Sequence, residues 1–227
     1  VDVHSAVVSS ALLDVAPELK DADGYDGSGS VAREAHHVAR EAMFAIVPVS
    51  AREDAIRLAL SDAAAQGIGM VHELGAPHLS PPEDFETIAK MRAAATLPEV
   101  VGYWGALDGI DLAAELGCVG AGGDLCVDGA IGSRTAAMHT PYVDADTSGH
   151  LYLTSEQVRD HVVACTNAGL QAAFHAIGDR ATAALASGFK LAADALGTTA
   201  LVRARHRVEH LEMVSPADMR ILGELGV

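Results

Sequence analysis

Short apolar runs that end in polar residues alternate along this chain with longer alanine-rich stretches of helical period. That order predicts repeated βα units around a parallel sheet. Five runs read as strands, at residues 67–74, 100–106, 124–129, 170–177 and 205–211. Caps mark the helix starts between them. Ser50-Ala51-Arg52-Glu53 and Thr154-Ser155-Glu156-Gln157 match the capping box, in which a hydroxyl and a carboxylate or amide satisfy free backbone N–H groups reciprocally. Ser80-Pro81-Pro82-Glu83 and Ser215-Pro216-Ala217-Asp218 place proline where its missing N–H costs nothing. The strand spacing is that of a βα unit of roughly 30 or more residues, whereas a complete (β/α)8 barrel takes about 250. Two architectures satisfy the pattern: an open doubly wound sheet, or a piece of a barrel whose first and last strands lie outside these residues. Residues 21–30, rich in Asp, Gly and Ser, read as a flexible loop, and no internal repeat is present.

Composition narrows the function classes. The 227 residues are half apolar, enough for a sizeable core and one α/β domain. With 31 acidic against 15 basic residues the formal net charge is -16, which repels phosphate backbones and anionic lipid, so nucleic-acid and membrane partners are disfavoured. The charge itself reads as a solvated acidic surface. Cys118, Cys126 and Cys165 are odd in number and widely spaced without a CxxC, which suggests neither a disulfide framework nor a thiolate zinc site, and fits a reducing cytosol. No apolar run approaches the roughly 20 residues of a membrane span, and no secretory signal opens the chain. A soluble cytoplasmic protein is the expectation, and a homo-oligomer is compatible with it. Both ends, at Val1 without Met and at Gly226-Val227, look cut.

In parallel α/β architectures ligands gather at the carboxyl ends of the strands. Period-2 alternation in Asp124-Leu125-Cys126-Val127-Asp128-Gly129 places Asp124, Cys126 and Asp128 on one face, delivering two carboxylates if that face looks into a barrel. Asp128-Gly129 equally reads as a turn. The run 172–180 ends an apolar strand in His175 and continues into the turn of Gly178-Asp179, and the run 206–212 ends in His210. One strand histidine is usually a satisfied core residue, but two at the same end of neighbouring strands can converge on a divalent ion, with a third-strand carboxylate completing three ligands around a water. His72 reads as structural, anchored by Glu73. His36, His37, His139, His150 and His161 read as surface residues. Tyr103 and Trp104 end a strand, either lining a pocket or filling the core.

Several segments together resemble the amidohydrolase superfamily, and in particular its family 3 branch. They are 128–137 (Asp-Gly-Ala-Ile-Gly-Ser-Arg-Thr-Ala-Ala), Pro141-Tyr142, 175–181 (His-Ala-Ile-Gly-Asp-Arg-Ala) and Arg207-Val208-Glu209-His210, in that order. His4-Ser5-Ala6 with Ser10-Ala11-Leu12 is similar to a further signature. The resemblance implies an α/β fold of the (β/α)8 TIM-like barrel type, here an incomplete set of about five βα units. It also implies one or two divalent metals, zinc being the expected ion, and hydrolysis of amide-like C–N bonds in a small-molecule substrate. His175 corresponds to the ligand of the family's fifth strand and His210 to that of the sixth. Two departures matter. Many members carry a lysine four positions before the Asp-Gly pair, and here that position is Asp124, which becomes the candidate oxygen ligand. The first-strand His-x-His pair is absent, and the eighth-strand aspartate that acts as general base lies beyond these residues, as does the small β-domain of the family. The expectation is therefore the central part of one barrel domain across residues 1–227, with ligands Asp124, His175 and His210. Asp128, Arg134, Asp179, His4 and Trp104 are expected near substrate or behind the ligands. Rival readings are a catalytically inactive barrel fragment acting as a binding module, and a metal-free α/β enzyme using carboxylate acid–base chemistry.

Overall fold

The computed structural model describes residues 4–77, 79–91 and 96–227. The chain divides into two compact units, one of residues up to 73 together with 77–101, the other of 74–76 and 102–227.

In the first unit, β1 (Ser5–Val7) pairs antiparallel with β2 (Ser30–Ala32), and α1 (Ser10–Val15) and α2 (Arg33–Ile46) accompany them. Leu19, Val31, Ala35 and Ala39 form the core of this part. Segment 21–30, expected as a flexible loop, is a built turn: Asp26 accepts backbone N–H bonds from Ser28 and Ser30, and Tyr25 bridges to Val31. An aspartate side chain that bonds the backbone just beyond it imitates a turn. α3 (Val49–Ala65) follows, and starts from Pro48 with no side-chain cap. Ser50 therefore lies inside the helix rather than at its cap, because the fixed φ of proline begins the helix before the capping box can act. Leu60, Ile88, Met91 and Val100 bury together where α3 meets α4 (Glu83–Met91).

β3 (Met70–Gly75) and β4 (Glu99–Trp104) begin in the first unit and end in the second, which continues with α5 (Ile110–Glu115), β5 (Gly120–Cys126), α6 (Ser155–Ala168), β6 (Gln171–Ala176), α7 (Asp179–Leu196), α8 (Thr198–Ala204), β7 (Arg207–His210) and α9 (Pro216–Glu224). The strand order is β3-β4-β5-β6-β7, strictly sequential, with a helix after each strand. A doubly wound sheet reverses its order at a switch point; this one does not. Right-handed crossovers that all advance in one direction put every helix on the same face, so these are five consecutive units of a (β/α)8 barrel. The predicted caps at Thr154 and Ser215 are both present, the first as a full capping box. Among the described residues, no helix is long and apolar enough to cross a membrane.

Three histidines differ from their sequence reading or extend it. His36 and His161, expected at the surface, are buried, because each shares a helix face with apolar residues: Ala35 and Ala39 on α2, Val158, Val162 and Cys165 on α6. His206 is also buried and fully engaged, its Nδ1 accepting from the Ala172 N–H at 2.8 Å and its Nε2 lying 3.0 Å from the Thr166 hydroxyl, which itself donates to the Val162 carbonyl. A proton on Nδ1 would face an N–H donor. Burial, reinforced by His161, pushes His206 down to about 4 from an ordinary value of 6.5. Because the folded value lies below the unfolded one, the unfolded chain binds the extra proton between them. The stabilisation is complete above about pH 6.5 and is lost as pH falls towards 4, by about 3 kcal/mol in all. Urea midpoints measured from pH 7.5 to 4 should fall through this window, and a His206→Gln variant should flatten that part of the profile.

Candidate metal centre

The ends of β5, β6 and β7 bring the candidate ligands together. In β5 the sequence Gly120-Ala121-Gly122-Gly123 precedes the two polar residues Asp124 and Cys126. Gly122 pairs with Ala173 of β6, but Cys126 already pairs with His175, so β5 bulges between these points. Gly122 and Gly123 adopt φ of 129° and 92°, values that L side chains rarely take. The bulge re-aims Asp124 and Cys126, both half-buried, towards the His175 ring across the strand pair.

His175 is buried at 2 % exposure, with Nε2 3.1 Å from the Gly129 carbonyl oxygen. That carbonyl can only accept, so Nε2 carries the proton and Nδ1 presents its lone pair. Asp124 Oδ1 lies 3.9 Å from Nδ1. Burial holds the imidazole below its ordinary range, the Gly129 bond opposes this, and His210 adds to the lowering. The neutral ring is the metal-binding form. Asp124, Cys126 and His175 each offer a donor atom, all within 4.8 Å of one another. One carboxylate oxygen, one sulfur and one imidazole nitrogen at this spacing fit a divalent transition ion.

The ring of His210 packs edge-on against His175 with centroids 4.6 Å apart, so the two histidines do meet at the same end of adjacent strands. His210 is much more exposed, and its Nδ1 lies 3.8 Å from Glu212. The backbone at His210 and Leu211 is left-handed, φ 68° and 52°, which turns the chain sharply at the strand end. Glu209, one residue earlier, is held by the Arg207 guanidinium, which lies over the Tyr103 ring.

The remaining candidates occupy other places. Asp128 is fully buried and accepts backbone N–H bonds from Ala137, Ile177 and Gly178 at 2.7, 2.9 and 2.8 Å. Its carboxylate fastens the turn after His175 to the long β5–α6 loop, residues 127–154, instead of standing open at a mouth. Arg134 pairs with Asp144 on the exposed outside of that loop at 2.7 Å. Asp179 opens α7 and accepts the His139 N–H at 2.8 Å, tying loop to helix. Trp104 is a core residue, 2 % exposed. His4 lies in the first unit beside β1, and His72, expected to be structural, is exposed. Cys126 shares the strand face of Asp124 by alternation, and the register between β5 and β6 sets it beside His175.

The whole of residues 1–227 matches the model of the amidohydrolase family. The chain belongs to the amidohydrolase family. Two solved structures share the fold: an uncharacterized metal-dependent hydrolase from Pyrococcus furiosus, at 24 % identity and a TM-score of 0.73, and one from Pyrococcus horikoshii OT3, at 21 % and 0.73. Each alignment covers 99 % of this chain but only 47 % and 46 % of the other. This amidohydrolase chain therefore spans about half the length of the solved structures it matches. The Arabidopsis thaliana protein LONG AFTER FAR-RED 3 is 29 % identical over 102 residues, 44 % of this chain and 17 % of that protein.

Proposed function

We propose that this chain supplies the central part of a barrel whose site binds a divalent ion and hydrolyses an amide-like C–N bond of a small molecule. Asp124 and His175 are ligands, and His210 stands against the His175 ring at the same strand ends. The observation that carries this reading is the juxtaposition of Asp124 Oδ1 and His175 Nδ1, 3.9 Å apart at the carboxyl ends of neighbouring strands in a chain of the amidohydrolase family. When bound, the ion supplies Lewis acidity and lowers the pKa of a coordinated water. The chain's own residues prepare the place. Gly129 holds the Nε2 proton of His175, which leaves Nδ1 as the unprotonated nitrogen on the side of Asp124. Asp128 fixes Ile177 and Gly178 and with them the strand end that carries the imidazole. Asp124 stands where the family resemblance has a lysine, and its short carboxylate favours a single ion over a bridged pair. The group that takes the proton from the attacking water lies outside these residues in this reading.

Metal analysis and zinc titration test it. Asp124→Asn should weaken zinc binding by more than the order of 10- to 100-fold that loss of an outer-shell partner costs, with the circular dichroism unchanged, since one ligand charge goes while the shape stays. His175→Ala should abolish binding. The chain alone should show no amide turnover with added zinc, whereas a form extended with the remaining barrel units should turn over and lose activity to a chelator. Zinc binding unchanged by both substitutions would refute the site.

A further inference from the structure

The proposed site has a third donor that the family's ligand pattern does not predict. We infer that Cys126 is a thiolate ligand beside Asp124 and His175, and that the site takes a borderline divalent ion such as zinc or cobalt in preference to magnesium, calcium or manganese. This rests on the metal-site reading above and specifies its ligand set and metal class.

Position is the first argument. Cys126 is the direct cross-strand partner of His175 in the β5–β6 register, and its sulfur is one of three donor atoms lying within 4.8 Å of one another. In β5 it shares its face with Asp124, two residues earlier, so one bulged strand contributes two ligands and the next strand the third. In the metal-free protein the Cys126 S–H donates to the Asp124 carbonyl oxygen at 3.4 Å, a weak bond that the metal replaces when the proton leaves. Charge is the second argument. A carboxylate, a thiolate and a neutral imidazole together neutralise a divalent cation, so a half-buried centre is left with no net charge to solvate. A carbamylated lysine in place of Asp124 would supply a longer anion able to reach two ions. Here the two anionic side chains are short and adjacent, which suits one ion. Chemistry is the third. Sulfur is a soft donor that magnesium, calcium and manganese bind poorly, whereas zinc and cobalt accept mixed sulfur, nitrogen and oxygen sets. On binding, the Cys126 S–H bond breaks, the sulfur–metal bond forms and the proton leaves to solvent; no electron is transferred.

The other two cysteines do not compete. Cys118 and Cys165 are buried, and burial pushes the Cys165 thiol up to about 12.

Cobalt(II) titrated into the reduced, metal-free protein tests this without relying on activity. A cobalt–thiolate bond gives an intense near-ultraviolet charge-transfer band, and any cobalt bound at low coordination gives visible d–d bands. The parent should show both. Cys126→Ser should lose the charge-transfer band while keeping d–d bands, and its zinc affinity should fall on the order of 10- to 100-fold or more. Cys126→Ala, checked for folding by circular dichroism, should behave alike. A large excess of magnesium should not displace the cobalt. Visible bands without a charge-transfer band in the parent, or a charge-transfer band that survives Cys126→Ser, would overturn the thiolate while leaving the Asp124–His175 site standing. No cobalt binding at all would overturn both.

Discussion

A Gly122→Ala substitution is expected to leave little or no folded protein. A Cβ at this position would lie 1.7 Å from the Ala173 carbonyl oxygen and 2.6 Å from its carbon, both backbone atoms of the adjacent strand β6. No rotamer change relieves such a clash, so β5 and β6 must part or the bulge must dissolve. Its φ of 129° is unfavourable for any L residue as well. Together these effects cost on the order of 4 kcal/mol or more, a large share of an ordinary domain's stability. Gly169→Ala is the informative control. Gly169 has φ 72° at the end of α6 but nothing within 4 Å of its added methyl, so only the backbone term of roughly 1 kcal/mol should appear. Urea denaturation and soluble yield measure both. If Gly122→Ala melted as cooperatively and as late as Gly169→Ala, the close approach of the two strands would not be a constraint. Any residual folded Gly122→Ala should also have lost cobalt or zinc binding, because the same bulge aims Asp124 and Cys126.

Asp128→Ala is the second large expected loss. Its carboxylate is the shared acceptor for three buried amides, of Ala137, Ile177 and Gly178. Removing it leaves these donors with nothing to bond, each costing about 1–3 kcal/mol, so a total near 4 kcal/mol is expected. Asp128→Asn should fall between. One amide oxygen can keep the Ala137 and Gly178 bonds that now share Oδ2, while the NH2 group confronts the Ile177 N–H. Chemical denaturation should rank parent, Asn and Ala in that order. Equal midpoints for parent and Ala would mean that the loop finds other acceptors.

Much of this fold was legible from periodicity, since the five parallel strands were all anticipated and their helix caps at Thr154 and Ser215 found. β5 was misplaced. It runs Gly120–Cys126 rather than 124–129, because its first half is glycine and reads as loop. Those glycines serve packing instead: a Cβ on Gly120 would lie 2.6 Å from the Tyr103 ring, so the missing side chain makes room for an aromatic on β4. The short pair β1–β2 was not anticipated, as strands of three residues carry too little alternation to detect. In the candidate site, His175 is readable because it ends an apolar run, and Asp124 because it stands where the resemblance has a lysine. Cys126 shares the face of Asp124, but without a CxxC partner its spacing suggests no thiolate site. Local spacing finds ligands that share a loop; it misses ligands joined by register across two strands. The buried His36 and His161 had a readable signal too, their i, i+3 and i, i+4 apolar neighbours on one helix face.

The clamp made by Asp128 also sets an order of events during synthesis. Its acceptor oxygens meet amides 49 and 50 residues further along the chain, after all of α6 and β6. At roughly 5–20 residues per second, the ribosome adds that stretch in about 3 to 10 s. For the last part of that interval, about 1 to 5 s for the residues between 154 and 178, the loop 127–154 is complete as polypeptide but lacks the bonds that Asp128 makes to Ile177 and Gly178. The loop is therefore fastened to the sheet only when β6 docks beside β5, in the same step that carries His175 to Cys126.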